Sequence, residues 1–203
     1  LDALADAGAL CFCFNRFHLA HDSTRLRAQF TVTGDLQMIE DFGQRIVDES
    51  GGTVFVADEH PPKLLGDYVW VRQISVFPSL FSFDADLACT PGGSSVYLAM
   101  QIGYFLGIKR WYMYGADFGF NFTQPTQGVS TFRSAAGEGN HFIANYREGQ
   151  SWCPPAIENI LPSFFGARML MESEGGFIRN ATRGGHLHVF ERIAFEDALE
   201  NSR

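Results

Sequence analysis

The fold is decided by residues 90–117, which read TPGGSSVYLAMQIGYFLGIKRWYMYGAD. A glycine pair, Gly92 and Gly93, is followed by an apolar segment of helical length at residues 94–106. A second apolar segment, residues 110–115, comes after a short turn. We predict an amphipathic helix followed by a buried strand, which is half of the crossover connection from which parallel sheets are built.

The same stretch predicts a site for a phosphate-bearing ligand. The residues Gly92 and Gly93 allow a ligand to approach the backbone closely, and Ser94 or Ser95 can cap the helix. The free N–H groups of the first helical turn lie at the positive end of the helix dipole, where an anion is favoured. Asp117 follows the strand at its carboxyl end, beside the crevice where open α/β sheets bind ligands. Two alternatives stay open, namely an ordinary strand-to-helix loop and an aspartate that only caps a turn.

The first part of the chain alternates strands and helices. Short apolar runs predict strands, the last of them near a sheet edge, at residues 9–14, 29–33, 53–57 and 68–74. Asp35 is expected to cap a helix that ends at Gly51. We predict a single α/β domain over residues 1–203, with a three-layer, doubly wound and mostly parallel sheet of the Rossmann-like type.

The second part of the chain has a long segment without periodicity. Residues 117–141 are rich in Gly, Ser, Thr, Asn and Gln, which predicts a lid or binding loop. A helix opened by a proline pair is expected over residues 154–174, and Pro162 should kink or split it. Short strands are predicted at residues 177–179 and 187–190.

Composition excludes several functions. The 203 residues have a net charge of −8 and 15 Lys and Arg residues, whose longest cluster is Lys109-Arg110, so nucleic acid is not an expected partner. No run of 18 apolar residues occurs, and we expect a cytoplasmic protein without a membrane span. The four cysteines lack CxxC spacing and should be free, mostly buried thiols. Many of the 20 phenylalanines fall outside periodic segments; we expect loop anchors, some of them exposed enough to permit a homodimer.

Six blocks of residues follow one another in an order typical of a known family. In chain order they are Cys13-Phe14-Asn15-Arg16-Phe17, Thr33-Gly34-Asp35, residues 93–101, Tyr114-Gly115-Ala116-Asp117, Asn140-His141-Phe142 with Tyr146, and Asn180-Ala181-Thr182-Arg183-Gly184-Gly185. Over nearly its whole length the chain resembles the 6-hydroxymethylpterin diphosphokinase MptE-like family, which includes the bacterial motility accessory factors. That family looks related to the sialyltransferase-like fold, which uses CMP-activated nonulosonic acids.

The resemblance implies a nucleotide or nucleotide-sugar ligand and assigns residues to it. Asn15 and Asp35, at strand tips, would contact the nucleotide, and the turn at residues 93–95 would hold its phosphate or ribose. Asp117 would line the same crevice. Proteins of this family place a glycine-rich turn of the Asn-Gly-Pro-Ser-Leu type before the segment equivalent to residues 1–8. That turn is missing here, so we expect the chain to be truncated at its N-terminus.

The resemblance also implies a catalytic base. In the related sialyltransferases the catalytic histidine follows a His-aromatic pair by a few residues, and Asn145 stands at the matching position here. His141 is the nearby imidazole, and we expect it to activate an acceptor hydroxyl. Without the resemblance, a single loop histidine more often has a surface or structural role.

The late turn at residues 180–185 offers a further anion site. It contains Asn, Thr and two glycines, and Thr182 with Arg183 is expected to close around an anion, although a plain turn is an equal alternative. His186 and His188 alternate along the last predicted strand. We expect them to pack or to be exposed, because no third metal ligand is evident.

Three functions remain open at this point. The leading hypothesis is a glycosyltransferase that uses a CMP-activated or other nucleotide-activated sugar by direct displacement and needs no metal cofactor. The second is a pyrophosphokinase that moves diphosphate from ATP to a hydroxymethylpterin, with Asp35 and Asp117 holding Mg²⁺. The third is a nucleotide-binding domain without catalytic activity.

Overall fold

The computed structural model describes residues 1–120, 141–150 and 155–201. Over these ranges the chain forms, in order, α1 (Asp2–Asp6), β1 (Phe12–Phe14), a 3₁₀ helix (Phe17–Ala20), β2 (Phe30–Thr33), α2 (Leu36–Glu49), β3 (Thr53–Asp58), β4 (Val69–Arg72), α3 (Ser95–Phe105), β5 (Arg110–Met113), α4 (Ile157–Ser173), β6 (Phe177–Asn180), β7 (Glu191–Arg192) and α5 (Phe195–Asn201). The helices and strands predicted before residue 117 are therefore confirmed, mostly with shorter bounds. The loop predicted at residues 117–141 lies almost entirely outside the described residues.

The strands form two parallel sheets. One sheet has the order β1-β2-β3-β4 and the other has the order β5-β6-β7. Every pairing between neighbouring strands is parallel. The rings of Phe12 in β1 and Trp111 in β5 lie against each other, with centroids 5.1 Å apart. The predicted α/β class with parallel strands is confirmed, and β4 lies at a sheet edge as expected.

Helices cover both faces of β3. Val54 and Val56 pack in one apolar cluster with α2, whereas Phe55 and Ala57 pack in another with α3. A strand that is buried on both faces reads as a nearly continuous apolar run, which is why the pattern predicted it. The helix α2 begins as predicted, because the Asp35 side chain accepts a hydrogen bond from a main-chain N–H of its first turn.

The helix α3 is buried on nearly all sides, which differs from the amphipathic helix that the sequence predicts. Every residue from 97 to 103 is buried. Leu98 and Ile102 pack with the four-stranded sheet, whereas Tyr97 and Met100 pack with β5, β6 and α4. Because the helix contributes to two apolar clusters, it has no polar face along this stretch.

Pro162 does not split α4, and the other expected outcome, a kink, stays a prediction. One helix runs from Ile157 to Ser173, and Pro162 is near its start. Proline at this position removes only the bond to the carbonyl of Glu158, which belongs to the first turn.

The strand predicted at residues 187–190 is not formed. Leu187 and Phe190 are buried in the cluster that includes α4, and the strand that pairs with β6 is Glu191–Arg192. The two buried side chains are three positions apart because an irregular segment fills the core here, whereas buried residues of a strand recur every two positions. His186 and His188 therefore do not share a strand face.

Two predictions from composition can be compared with the structure. Among the described helices, none has both the length and the apolar character needed to cross a bilayer. Cys11, Cys13 and Cys89 are free thiols, as predicted. Burial raises the pKa of Cys13 and that of Cys89 to about 12. Cys153 lies outside the described residues.

Candidate functional site

Polar residues follow the carboxyl ends of the four-stranded sheet. Asn15 comes directly after β1, Thr33 is the last residue of β2, and Gln73 comes directly after β4. The carboxyl ends of parallel strands lie at one edge of their sheet, and ligands of open α/β sheets bind outside that edge. We call the edge formed by Asn15, Thr33 and Gln73 the polar edge.

Three buried oxygen atoms of the polar edge find no hydrogen-bond partner among the described residues. They are Asn15 Oδ1, Thr33 Oγ1 and Gln73 Oε1. A buried polar atom without a partner costs about 1–3 kcal/mol. Folded proteins rarely leave such atoms unsatisfied, so three of them at one edge make this edge a candidate ligand site.

The backbone of Asn15 is held in a conformation that most residues avoid. Its φ angle is 51°, in the left-handed region that asparagine tolerates better than most other side chains. Its N–H donates to the Val32 carbonyl over 3.1 Å, and the N–H of the next residue donates to the Tyr146 hydroxyl. Strained backbone persists where its surroundings fix it, and it is common at binding sites.

Gly34 brings the start of α3 to the polar edge. A Cβ atom at this position would lie 2.1 Å from Leu98 Cδ1 and 3.1 Å from Gln73 Oε1. Leu98 belongs to the first turn of α3. The positive end of the α3 dipole is therefore close to the ends of β2 and β4.

The glycine turn before α3 is shaped by packing within the chain. A Cβ atom on Gly92 would lie 2.1 Å from a ring carbon of Tyr97, and one on Gly93 would lie 2.8 Å from Ile160 Cγ1. The Ser94 hydroxyl caps the helix by accepting the Val96 N–H over 3.2 Å, as predicted.

The packing explains both glycines without a ligand, so their presence alone no longer indicates a phosphate site. Ser95 is the first residue of α3. A phosphate-facing role for Gly92, Gly93, Ser94 and Ser95 stays a prediction, supported by the proximity of α3 to the polar edge rather than by the glycines themselves.

Residues 141–150, which we call the strap, pack over the end of β1. The His141 ring stacks on the Tyr146 ring, with centroids 3.9 Å apart and planes 26° from parallel. The Tyr146 hydroxyl accepts the Arg16 N–H over 3.1 Å. Burial raises the pKa of Tyr146, and this effect outweighs the neighbouring Arg16 and Arg147, which lower the pKa. The structure thus brings two predicted residues, Asn15 and His141, to one region around Tyr146.

A buried arginine, Arg16, binds the strap, and the sequence analysis did not assign it to the site. The Arg16 guanidinium is fully buried and donates to the Tyr146 carbonyl and to the Glu148 carboxylate. It also lies over the Phe42 ring, with Cζ 3.9 Å from the ring centroid. Glu148 accepts a second bond from Arg45 over 2.8 Å. These two arginines hold the pKa of Glu148 below its ordinary value.

A second arginine reinforces the same contact. Arg147 is buried, and its guanidinium donates to the Asp41 carboxylate over 2.7 Å. Its Cζ lies 5.3 Å from the Phe42 ring centroid, so Phe42 is flanked by two cations. In the sequence, this network is marked only by the adjacent charged residues Arg147 and Glu148, in a segment without periodicity. Two neighbouring charges do not show which distant residues they contact.

Asp117 and Thr182 meet at the ends of β5 and β6. The Thr182 hydroxyl accepts the Ala116 N–H over 2.9 Å, and Asp117 Oδ1 accepts the Gly119 N–H over 3.0 Å. Arg183 is exposed and donates to Glu196 over 2.9 Å. The turn therefore has partners within the chain, and the predicted anion-binding roles of Thr182 and Arg183 stay predictions.

A magnesium site at Asp35 and Asp117 receives little support from the geometry. Asp35 caps α2 beside the strap, whereas Asp117 is bound to the turn after β6. Within the described residues, no group of three or more His, Cys, Asp or Glu side chains is placed to hold a metal ion. His186 and His188 belong to no such group.

Comparison with known proteins does not assign this chain to a protein family. Searches against protein-family models, curated proteins and solved structures returned no significant match to this chain.

Proposed function

We propose that this chain is a nucleotide-dependent transferase that moves a sugar from a nucleotide-activated donor to an acceptor hydroxyl. The observation that carries the proposal is the set of three buried oxygens, on Asn15, Thr33 and Gln73, that find no donor in the part of the chain that the structure describes. Ribose hydroxyls and the amino group of a base are donors that such oxygens would accept. The resemblance to the MptE-like family supports the same ligand class.

We further propose that the two sheets form one doubly wound sheet in three layers, with β1 beside β5. The contact between Phe12 and Trp111 supports this arrangement, as does the packing of α3 on both sheets. In such a sheet the strand order reverses between β1 and β5, and ligands bind at that point. Asn15 and Asp117 would then face one crevice from opposite sides.

The proposed reaction is a direct displacement at the sugar. The acceptor oxygen bonds to the anomeric carbon while the bond to the leaving phosphate breaks, and His141 takes the proton of the acceptor hydroxyl. The stacking of His141 on Tyr146, whose hydroxyl binds the N–H next to Asn15, supports a place for this imidazole near the polar edge. The first turn of α3, with Ser94 and Ser95, would stabilise the charge that develops on the phosphate.

A thermal-shift titration with CMP, CDP, GDP, UDP and ATP, each with and without Mg²⁺, tests the ligand class. A ligand that binds only the native state stabilises it by about 2.7 kcal/mol at a hundredfold excess over Kd. We expect a shift with CMP or another product of a sugar nucleotide in the absence of Mg²⁺. A shift with ATP only when Mg²⁺ is present would support the diphosphokinase instead. No shift with any nucleotide would contradict both enzymes.

The variant His141→Gln separates binding from catalysis. We expect it to keep the nucleotide-induced thermal shift and to lose about 10²-fold or more in transfer rate, because a general base contributes on that order. His188→Gln, exposed in the segment before β7, is the matched control and should keep both. An unchanged transfer rate in the His141 variant would remove this residue from the mechanism.

A further inference from the structure

A loop of residues 74–88 leaves β4 and returns to its side. Gln73 pairs with Cys89 in a parallel bridge. The Ile74 N–H donates to the Cys89 carbonyl over 2.9 Å, and the Cys89 N–H donates to the Arg72 carbonyl over 2.8 Å. The two ends of the loop are therefore joined, as in a compact Ω loop, a type that frequently has a function.

The inner side of this loop is fixed to α3. The buried Gln101 side chain accepts the N–H groups of Ser82 and Thr90, each over 3.0 Å. The Phe81 ring packs edge-on against the Tyr104 ring, with centroids 5.6 Å apart. The loop is thus held in place by one buried amide and by aromatic contacts of Phe81 and Phe83 with the tyrosines of α3.

The outer side of the loop is apolar and open to solvent. Six large apolar side chains expose between 40% and 77% of their surface, and we call them the loop surface: Ile74, Val76, Phe77, Leu80, Phe83 and Leu87. If each side chain offers about 180 Å², the loop surface exposes on the order of 600 Å². The largest apolar patch of a typical monomer is of this size and often marks an interaction site.

The loop surface also lacks charge. Residues 74–83 read ISVFPSLFSF and contain no ionisable side chain, although the whole chain has a net charge of −8. Two copies of an acidic protein repel each other over most of their surface. The uncharged segment at residues 74–83 is the region where contact between two copies meets the least repulsion, and Asp84 and Asp86 follow it in the chain.

We propose that the loop surface joins two copies of this chain in a symmetric dimer. A two-fold interface places the same patch of each copy against the other, so a self-complementary apolar patch suffices. The loop surface exposes on the order of 600 Å². Polar residues around it would bring the buried area close to the roughly 800 Å² that each partner contributes to a stable interface. The depletion of charge at its centre is typical of such interfaces.

A lipid bilayer fits this surface less well. Peripheral membrane surfaces combine apolar side chains with Lys and Arg that bind anionic lipids. The loop at residues 74–88 contains no Lys or Arg, and it carries Asp84 and Asp86 instead. These two carboxylates would repel an anionic bilayer.

Sedimentation equilibrium over a range of concentrations up to about 100 μM tests the proposal. We expect the wild-type chain to approach twice its 22.6 kDa mass, and the double variant Phe77→Ser with Leu80→Ser to sediment as a monomer. The matched control is Phe165→Ser, which removes an exposed aromatic side chain from α4 and should leave the dimer intact. Circular dichroism on each variant confirms that it is folded.

A second double variant, Val76→Ser with Leu87→Ser, replaces the first if the first does not fold. It should also sediment as a monomer. A wild-type chain that stays monomeric at every concentration would overturn the proposal, and co-sedimentation of that monomer with phosphatidylcholine vesicles would assign the loop surface to lipid. If both double variants of the loop surface stay dimeric and Phe165→Ser becomes a monomer, the proposal is overturned and the interface lies on α4.

Discussion

The Arg16 main-chain N–H donates a hydrogen bond to the Tyr146 hydroxyl over 3.1 Å, although the two residues are 130 positions apart in the chain. The bond joins the end of β1 to the strap, one residue after the left-handed Asn15. Because the Tyr146 ring also stacks on His141, this contact fixes the position of the candidate base relative to the polar edge.

Removal of the Tyr146 hydroxyl should destabilise the fold. Tyr146→Phe leaves the Arg16 N–H buried without an acceptor, which costs about 1–3 kcal/mol in the free energy of unfolding. Urea denaturation measures the loss. Tyr114→Phe is the control, because the Tyr114 ring is partly exposed and a surface change of this kind stays within about 0.5 kcal/mol. Equal stability of the two variants would show that the bond does not hold the strap.

Arg16 should not tolerate lysine. Its guanidinium donates to both the Tyr146 carbonyl and Glu148 while it covers the Phe42 ring, and an ammonium group cannot satisfy this geometry. We expect Arg16→Lys to lower the free energy of unfolding by about 1–3 kcal/mol, because the buried Tyr146 carbonyl loses its donor. Arg25→Lys, in an exposed ion pair, should cost almost nothing. A stable Arg16→Lys protein would argue that the strap is held by its apolar contacts alone.

The contribution of Glu148 should depend on pH. Arg16 and Arg45 lower the pKa of this carboxyl in the folded protein, so its stabilisation is complete above the unfolded pKa and is lost as the pH falls through the folded value. We expect the stability gap between wild type and Glu148→Gln to be constant near neutrality and to close below about pH 4. Glu172→Gln, which breaks an exposed pair on α4, should show a much smaller gap. A gap for Glu148→Gln that persists at low pH would mean that the charge is irrelevant.

The glycine turn before α3 should be intolerant of any side chain. Gly92→Ala combines a left-handed backbone, φ 54°, with a Cβ atom 2.1 Å from the Tyr97 ring. Gly107 also has a positive φ, 86°, but nothing lies within 4 Å of its Cβ position. We expect Gly107→Ala to cost about 1–2 kcal/mol from the backbone alone, and Gly92→Ala to cost clearly more. Similar thermal midpoints for both variants would contradict the packing described for this turn.

The helix and strand at residues 94–115 were predictable because their signals are local. The Ser94 side chain caps the helix by accepting the N–H of Val96, two residues later. Gly107, which has a positive φ angle, follows the end of the helix. The burial of α3 on all sides was not predictable, since it depends on two apolar clusters that come from distant strands. The strand predicted at residues 187–190 was wrong for a related reason. Leu187 and Phe190 fill the core without forming a strand.

The candidate site divides in the same way. Asn15 and Asp35 were assigned to the nucleotide by the family resemblance, and the structure brings Asn15 near His141 through Tyr146. Arg16, Arg147 and Glu148 escaped the sequence analysis because each acts through partners about a hundred or more positions away. Gln73 was missed since the end of β4 carries no motif, and only its unpartnered oxygen marks it.

Isothermal titration of the nucleotide chosen by thermal shift, into Thr33→Val and Ser50→Ala, tests whether the polar edge is the binding site. Each variant removes one buried hydroxyl that lacks a partner among the described residues, Thr33 at the polar edge and Ser50 at the far end of α2. Neither variant should lose stability, because neither hydroxyl bonds within the described chain. We expect Thr33→Val alone to weaken binding about tenfold, which corresponds to about 1.4 kcal/mol. Equal affinity of both variants and the wild type would contradict a nucleotide site at the polar edge.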